Sequence, residues 1–330
     1  MYTAAPRKKL STVLTLITLM TVLAIPSPAL AADIVVDCDG GGVLQTEING
    51  SSPGDRLLVS GTCTENILID LLITGIEIKG DGPGLTILDG GLLDSVIRIT
   101  SGRTVTISDL TIQNGATSGL TEGGGIWSAG TLILNNVEIV NNTTTANGGG
   151  IFAGGSLTVN GGKINDNSAV FDGGGVYTTG TAVFDGAAEI GANGAGNTAG
   201  RHGGGIYSNA GTVTLQNDTH LFDNSASDSG GGIYNSGGSL TLSFAAVNGN
   251  NATVGGGGVY SVGGGTLDMT GSSVDDNTAG AAGGILSADP GTTASITDSF
   301  VRNNDATNPA GTGGGGIENA TSGTMTIDNT

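Results

Sequence analysis

A glycine run followed by an aliphatic–aromatic pair recurs along the chain. It reads "GGGIWS" at 123, "GGGIFA" at 148, "GGGVYT" at 173, "GGGIYS" at 203, "GGGIYN" at 230 and "GGGVYS" at 256, with weaker copies "AGGILS" at 282 and "GGGIEN" at 314. Glycine loses more freedom on ordering than any other residue, so three in succession need a conformational reason. The aliphatic position falls at Ile126, Ile151, Val176, Ile206, Ile233, Val259, Ile285 and Ile317, in steps of 25 to 32 residues. A period of that size marks a solenoid, in which each unit buries its apolar face only against its neighbours.

Between the glycine runs there is no helical periodicity. There are short alternating segments, such as "TLILNNVEIVNN" and "SLTLSFAAVNGNN", and strict alternation predicts strands with one buried face. Nine residues before the aliphatic position stand Asn142, Asn167, Asn197, Asn224 and Asn250; the later copies, Asn277 and Asn304, are offset differently. One unit therefore reads glycine corner, strand, glycine turn, strand, short turn, strand, asparagine corner. This pattern predicts an all-β, right-handed, single-stranded parallel β-helix with three strands per coil and about ten or eleven coils. Glycine supplies corners at positive φ and lets backbones approach. Asparagine tolerates the left-handed region, and its amide can bond the equivalent amide one coil away. The asparagines are accordingly expected to form a structural ladder.

Apart from Gly40 to Gly42, residues 32–120 lack the triplet but keep the logic. "RLLVSG", "NILID", "GIEIKG", "LTILDG" and "VIRITSG" read as irregular first coils, and "VLQTEING" at 43–50 as an amphipathic cap over the open end. Residues 121–330 form the regular repeat. The chain ends at "GTMTIDNT", inside a coil whose pattern requires another strand, so continuation past Thr330 is expected.

Residues 1–31 read as an export signal. Arg7-Lys8-Lys9 precede an apolar run from Leu10 to Ile25, and Ala29-Leu30-Ala31 is a small-x-small cleavage site. The run is shorter than the roughly 20 residues of a spanning helix. After cleavage, seven basic residues face 29 acidic ones, a net charge of −22. Such a chain repels nucleic acid and anionic lipid. Cys38 and Cys63 are the only cysteines, and in an exported chain the pair predicts a disulfide. Two histidines and two cysteines leave no plausible zinc site. No cofactor is expected; incidental surface calcium stays open, without a site.

Repeats of this form resemble the right-handed parallel β-helix proteins of bacterial surfaces, in particular the polymorphic outer-membrane protein repeats. The opening "LQTEINGSSPGDRLLVSGTCTENILI", residues 44–69, is similar to the first coil of secreted pectin-lyase-fold proteins. The resemblance implies a secreted or cell-surface location, an adhesin-like or structural role without catalysis, and a polysaccharide or cell-surface protein as partner.

The same architecture hosts polysaccharide lyases and glycoside hydrolases, which are the main alternative; a passive surface spacer is the second. Hydrolysis requires carboxylates held close together. Asp275-Asp276 is the only Asp-Asp pair, and alternation fits it better to a turn than to one face of a strand. Arg98 and Arg103, near Asp94 and Asp109, are the only basic cluster to weigh for lyase chemistry. A binding feature is more legible: Trp127, Phe152, Tyr177, Tyr207, Tyr234 and Tyr260 follow the inward aliphatic in six successive copies. They are expected to point outward as an exposed column, either a ligand-binding ladder for sugar rings or a partner, or simply a stack that ties coils together.

Overall fold

In the computed structural model, residues 31–70, 74–308, 314–320 and 323–329 are described; the expected export signal, save Ala31, lies outside them. The chain forms a parallel β-helix of about 11 turns. Among the described residues its strands lie in three sheets of 19, 8 and 10 strands. The 10-stranded sheet carries the segments that follow each glycine run, for example Ile126–Ser128, Ile151–Ala153 and Val176–Thr178.

The division of each coil differs from the expectation in one respect. The two alternating segments do not occupy separate faces. They share the 19-stranded sheet, either as one long strand, Thr131–Val140, or as two, Ser156–Asn160 and Lys163–Asn165, both paired with it. A residue at positive φ, such as Asn136 or Gly161, bends the chain there without taking it out of the sheet. The third face is a strand of only two residues after the asparagine corner, such as Thr143–Thr144 or Ser168–Ala169, too short to announce itself by alternation.

Alternation sends one side chain of each pair inward. Ile126, Ile151, Val176, Ile206, Ile233, Val259 and Ile285 stack in register and are fully buried, as are Leu132, Leu157, Ala182, Val213 and Leu240 on the wide sheet. Each large aliphatic so buried contributes about 1.5–3 kcal/mol. The end of the first coil is covered by the helix Leu44–Gly50, whose Leu44 and Ile48 join this core. Val43 offers the helix no side-chain cap; Glu65 does so from the next coil, accepting the N–H groups of Leu44 and Gln45 at 2.7 and 3.0 Å. Beside it Cys38 and Cys63 are joined in a disulfide.

The three glycines have three reasons, seen at 148–150. Gly148 sits at φ +72°. A Cβ on Gly149 would lie 2.6 Å from the Ser168 backbone. One on Gly150 would lie 2.7 Å from the Gly175 carbonyl oxygen and 3.0 Å from the Asn167 amide. Their N–H groups donate to Asp172, Gly173 and Gly174 of the following coil at 2.9–3.1 Å, so the corner stacks as a ladder of bare backbone.

At the opposite corner the asparagines run continuously from Asn142 to Asn304. Each side-chain amide donates to the carbonyl oxygen of the next at 2.9–3.0 Å. Asn277 and Asn304 stand in the same line despite their different offsets, because intervening loop length varies while coil position does not.

Candidate functional site

The six aromatic residues occupy the outward position of the 10-stranded sheet in strict register. Neighbouring strands are about 4.8 Å apart, and the rings stack with centroids 6.1, 5.5, 5.0, 5.1 and 5.0 Å apart from Trp127 to Tyr260. Interplanar angles are 11° or less, except 30° at the last pair. The Arg98 guanidinium lies 4.8 Å from the Trp127 ring centre and closes one end. Tyr260 packs with Ala282, Leu286 and Ala288 at the other.

The column is not exposed as expected: five of the rings are part-buried and Tyr177 is 9% exposed. Burial raises the hydroxyl pKa values of Tyr177, Tyr207, Tyr234 and Tyr260. Ring faces between Trp127 and Tyr234 are taken up by the neighbouring rings. Tyr177 Oη already accepts a hydrogen bond from Asn209 at 3.0 Å.

Against the column stands a charged cluster that sequence reasoning did not single out. The buried Asp172 accepts both arms of the Arg201 guanidinium, with Nε at 2.9 Å, and the His202 N–H at 3.2 Å. The His202 ring packs 4.5 Å from that of Tyr234. Its Nδ1 is buried without a hydrogen-bond partner, and Asp228 at 3.9 Å is too far to supply one. Burial holds the His202 pKa below its ordinary value, against the opposing pull of Asp228 and Asp172.

The residues weighed for catalysis do not converge. Asp275 ends its strand and takes a bidentate bond from Arg302 at 3.2 and 2.9 Å, while Asp276 turns away at φ 56°. Arg98 lies on Trp127, and Arg103 donates to the Asp70 carbonyl at 3.1 Å. Asp109 is held by Lys79 at 2.6 Å and Asn136 at 2.9 Å, which lowers its pKa; Asp94 accepts the N–H of Ser95 at 2.7 Å. Among the described residues the one grouping with metal-ligand spacing is Cys38, Cys63 and Glu65. Its sulfurs are bonded to each other and its carboxylate caps the helix.

A groove on the wide sheet also escaped sequence reasoning. It has a volume of about 210 Å³ and is lined by Asp218, His220, Phe244, Ala246, Ser273 and Phe300, among others. His220 is shared with an adjoining hollow formed with Asn193, Phe222, Asp223 and Asn248. Phe244 sits at φ 54°, at the bend of the wide sheet. Equivalent bends in the other coils carry Asp109, Asn136, Gly161, Gly186, Asn217, Gly271, Asp298 and Asn329, all at positive φ. A bulky side chain in that region costs about 1–3 kcal/mol. The substitution of Phe for the usual Asn, Asp or Gly is visible in the sequence once the bends are aligned.

No family model matches the chain, and no curated protein matches it. The likeness to the polymorphic outer-membrane repeats therefore rests on motif alone. Among solved structures, a pectin methylesterase from carrot aligns over 89% of this chain and 89% of its own, at 11% identity and a TM-score of 0.46. At that distance nothing about its activity transfers.

Proposed function

We propose that the chain is an exported, adhesin-like or structural repeat protein of the cell surface that carries out no catalysis. The observation that supports this most is the disposition of the seven basic residues after position 31. Five are spent in ion pairs that join one coil to the next: Arg56–Asp33, Lys79–Asp109, Lys163–Glu189, Arg201–Asp172 and Arg302–Asp275. The other two, Arg98 and Arg103, hold a tryptophan ring and a backbone carbonyl. Lyase chemistry would require a basic residue poised over a substrate, and glycoside hydrolysis two free carboxylates facing one bond. Here the basic side chains fasten coils, and the paired carboxylates Asp275 and Asp276 diverge, the first bound by Arg302 and the second turned away at φ 56°.

Export is supported by the disulfide, a bond that persists in oxidising compartments, together with the basic–apolar–small order of residues 1–31. The long repetitive surface and its acidic charge suit display to polymers or partner surfaces outside the cell.

Deletion of the gene tests this. Cells lacking the protein are expected to lose attachment to polysaccharide-coated surfaces while growing normally on the same polysaccharides as nutrients. Normal attachment with lost growth would instead assign the chain to polymer breakdown. In intact wild-type cells an antibody to residues 121–330 is expected to label the surface.

A further inference from the structure

We propose that the groove between His220 and Phe300 binds a neutral glycan, with the ring of Phe244 as its stacking platform. The proposal rests on the non-catalytic reading above and adds a site and a ligand class to it.

His220, Ala246, Ser273 and Phe300 occupy one outward column of the wide sheet, on four successive coils. Three inter-strand steps span about 14 Å. The two middle positions are small, so the column makes a flat floor between two raised ends. Phe300 is 57% exposed, with the Arg302 guanidinium 4.9 Å from its ring centre. Phe244, 61% exposed, forms the side wall. Together with Phe222 in the adjoining hollow, half of the chain's six phenylalanines gather here.

The placement of Phe244 is the second, independent observation. Its backbone adopts the conformation that the other coils give to Asn, Asp or Gly, and a bulky residue there is an outlier. Its ring lies across the next coil at Gly271, where a Cβ would come within 2.6 Å of it. The fold thus tolerates an unfavourable backbone at Phe244, and Gly271, itself at positive φ at the next bend, leaves room for the exposed ring. Nothing in the packing of the core requires this, because the neighbouring Ala245 fills the inward position.

The lining selects the ligand. A pyranose ring has a C–H face that packs on an aromatic ring and a rim of hydroxyls that hydrogen-bond. Rings on the wall, a small flat floor that includes the Ser273 hydroxyl, and Asp218 and His220 at the margin match that division. A polyanion is disfavoured by Asp218, by Asp223 next to it, and by the acidity of the whole chain. A shallow groove of this size does not enclose a lipid chain.

Affinity electrophoresis of the full chain through gels containing mixed-linkage β-glucan, xylan, mannan, polygalacturonate or chitosan tests the proposal. Retardation by at least one of the three neutral polymers and none by polygalacturonate is expected. Phe244→Asn places at the bend the residue found at Asn217, so the variant folds with an unchanged or raised melting temperature. It is expected to bind about tenfold more weakly or worse. Phe300→Ser is expected to weaken binding in the same polymer. Absence of retardation in all three neutral gels, retardation by chitosan alone, or full retention by a folded Phe244→Asn would overturn the site. New reducing ends in a retarding gel would overturn the non-catalytic reading and leave the groove standing.

Discussion

Asn197 donates both its backbone N–H and its side-chain amide to one oxygen, the Oδ1 of Asn224, at 3.0 and 2.9 Å. Its own Oδ1 accepts the same two donors from Asn167, at 3.1 and 3.0 Å, and its amide also reaches the Ile164 carbonyl at 2.7 Å. The pattern repeats along the corner, so each asparagine satisfies buried groups on both neighbouring coils. Leaving a buried polar group unpaired costs about 1–3 kcal/mol. Asn197→Ala orphans several at once and is expected to lower unfolding stability by about 3 kcal/mol or more in urea titration. Asn160→Ala, on the exposed face where the amide meets only Asn135, is expected to stay within about 0.5 kcal/mol.

Tyr207 lies between Tyr177 and Tyr234, with ring centres 5.0 and 5.1 Å away. Removing a ring from a stack takes away its buried area and both contacts. Tyr207→Ala is expected to lose about 2 kcal/mol or more, and Tyr207→Phe about 1 kcal/mol or less, by thermal melting. Glycan retention is expected to survive both. A loss of retention with unchanged stability would restore the column as a ligand-binding ladder.

The Cys38–Cys63 disulfide closes a loop with a sequence separation of 25, next to the terminal helix. Reduction or Cys63→Ser is expected to cost about 3–4 kcal/mol by the chain-entropy relation. Hydrogen exchange should place the loss in residues 32–70 first, since the coils beyond keep their own nearest-neighbour contacts.

Burial lowers the folded-state pKa of His202, so the unfolded chain binds more protons near its ordinary value of about 6.5. The contribution is present above that value and is lost as pH falls through the folded one. Asp228, Asp172, Arg201, Tyr207 and Tyr234 surround the ring, and none hydrogen-bonds Nδ1. His202→Gln is expected to flatten the stability loss between about pH 7 and pH 5. The decline at lower pH persists in the variant. It belongs to carboxylates such as Asp109 and Asp185, whose pKa values are lowered by hydrogen bonds from Lys79 and Asn217 respectively. An identical slope in wild type and variant would contradict this.

Glycine runs and alternating strands made the parallel β-helix legible, because both report a strict local demand that every coil repeats. Asn142 to Asn250 were legible for the same reason. What the sequence concealed depends on relations between coils. Thr143–Thr144 is too short to show alternation, and alternation on either side of Asn136 looks the same whether or not the chain leaves the sheet. The burial of Tyr177 comes from neighbouring coils, whose Phe152 and Tyr207 stack on its two faces and whose Asn209 bonds its hydroxyl. His220 and Phe300 lie 80 residues apart in sequence, and only the stacking of coils puts them in one column. Phe244 alone carried a local signal, as a bulky residue at an aligned bend.

The most direct test of the central claim is a turnover measurement. The purified full chain is incubated with plant, algal and bacterial polysaccharides, with and without calcium, and new chain ends are counted over time. A non-catalytic surface protein yields none above a boiled control on any polymer. New chain ends that vanish with Asp275→Asn or Arg103→Ala would contradict the account and make the chain an enzyme.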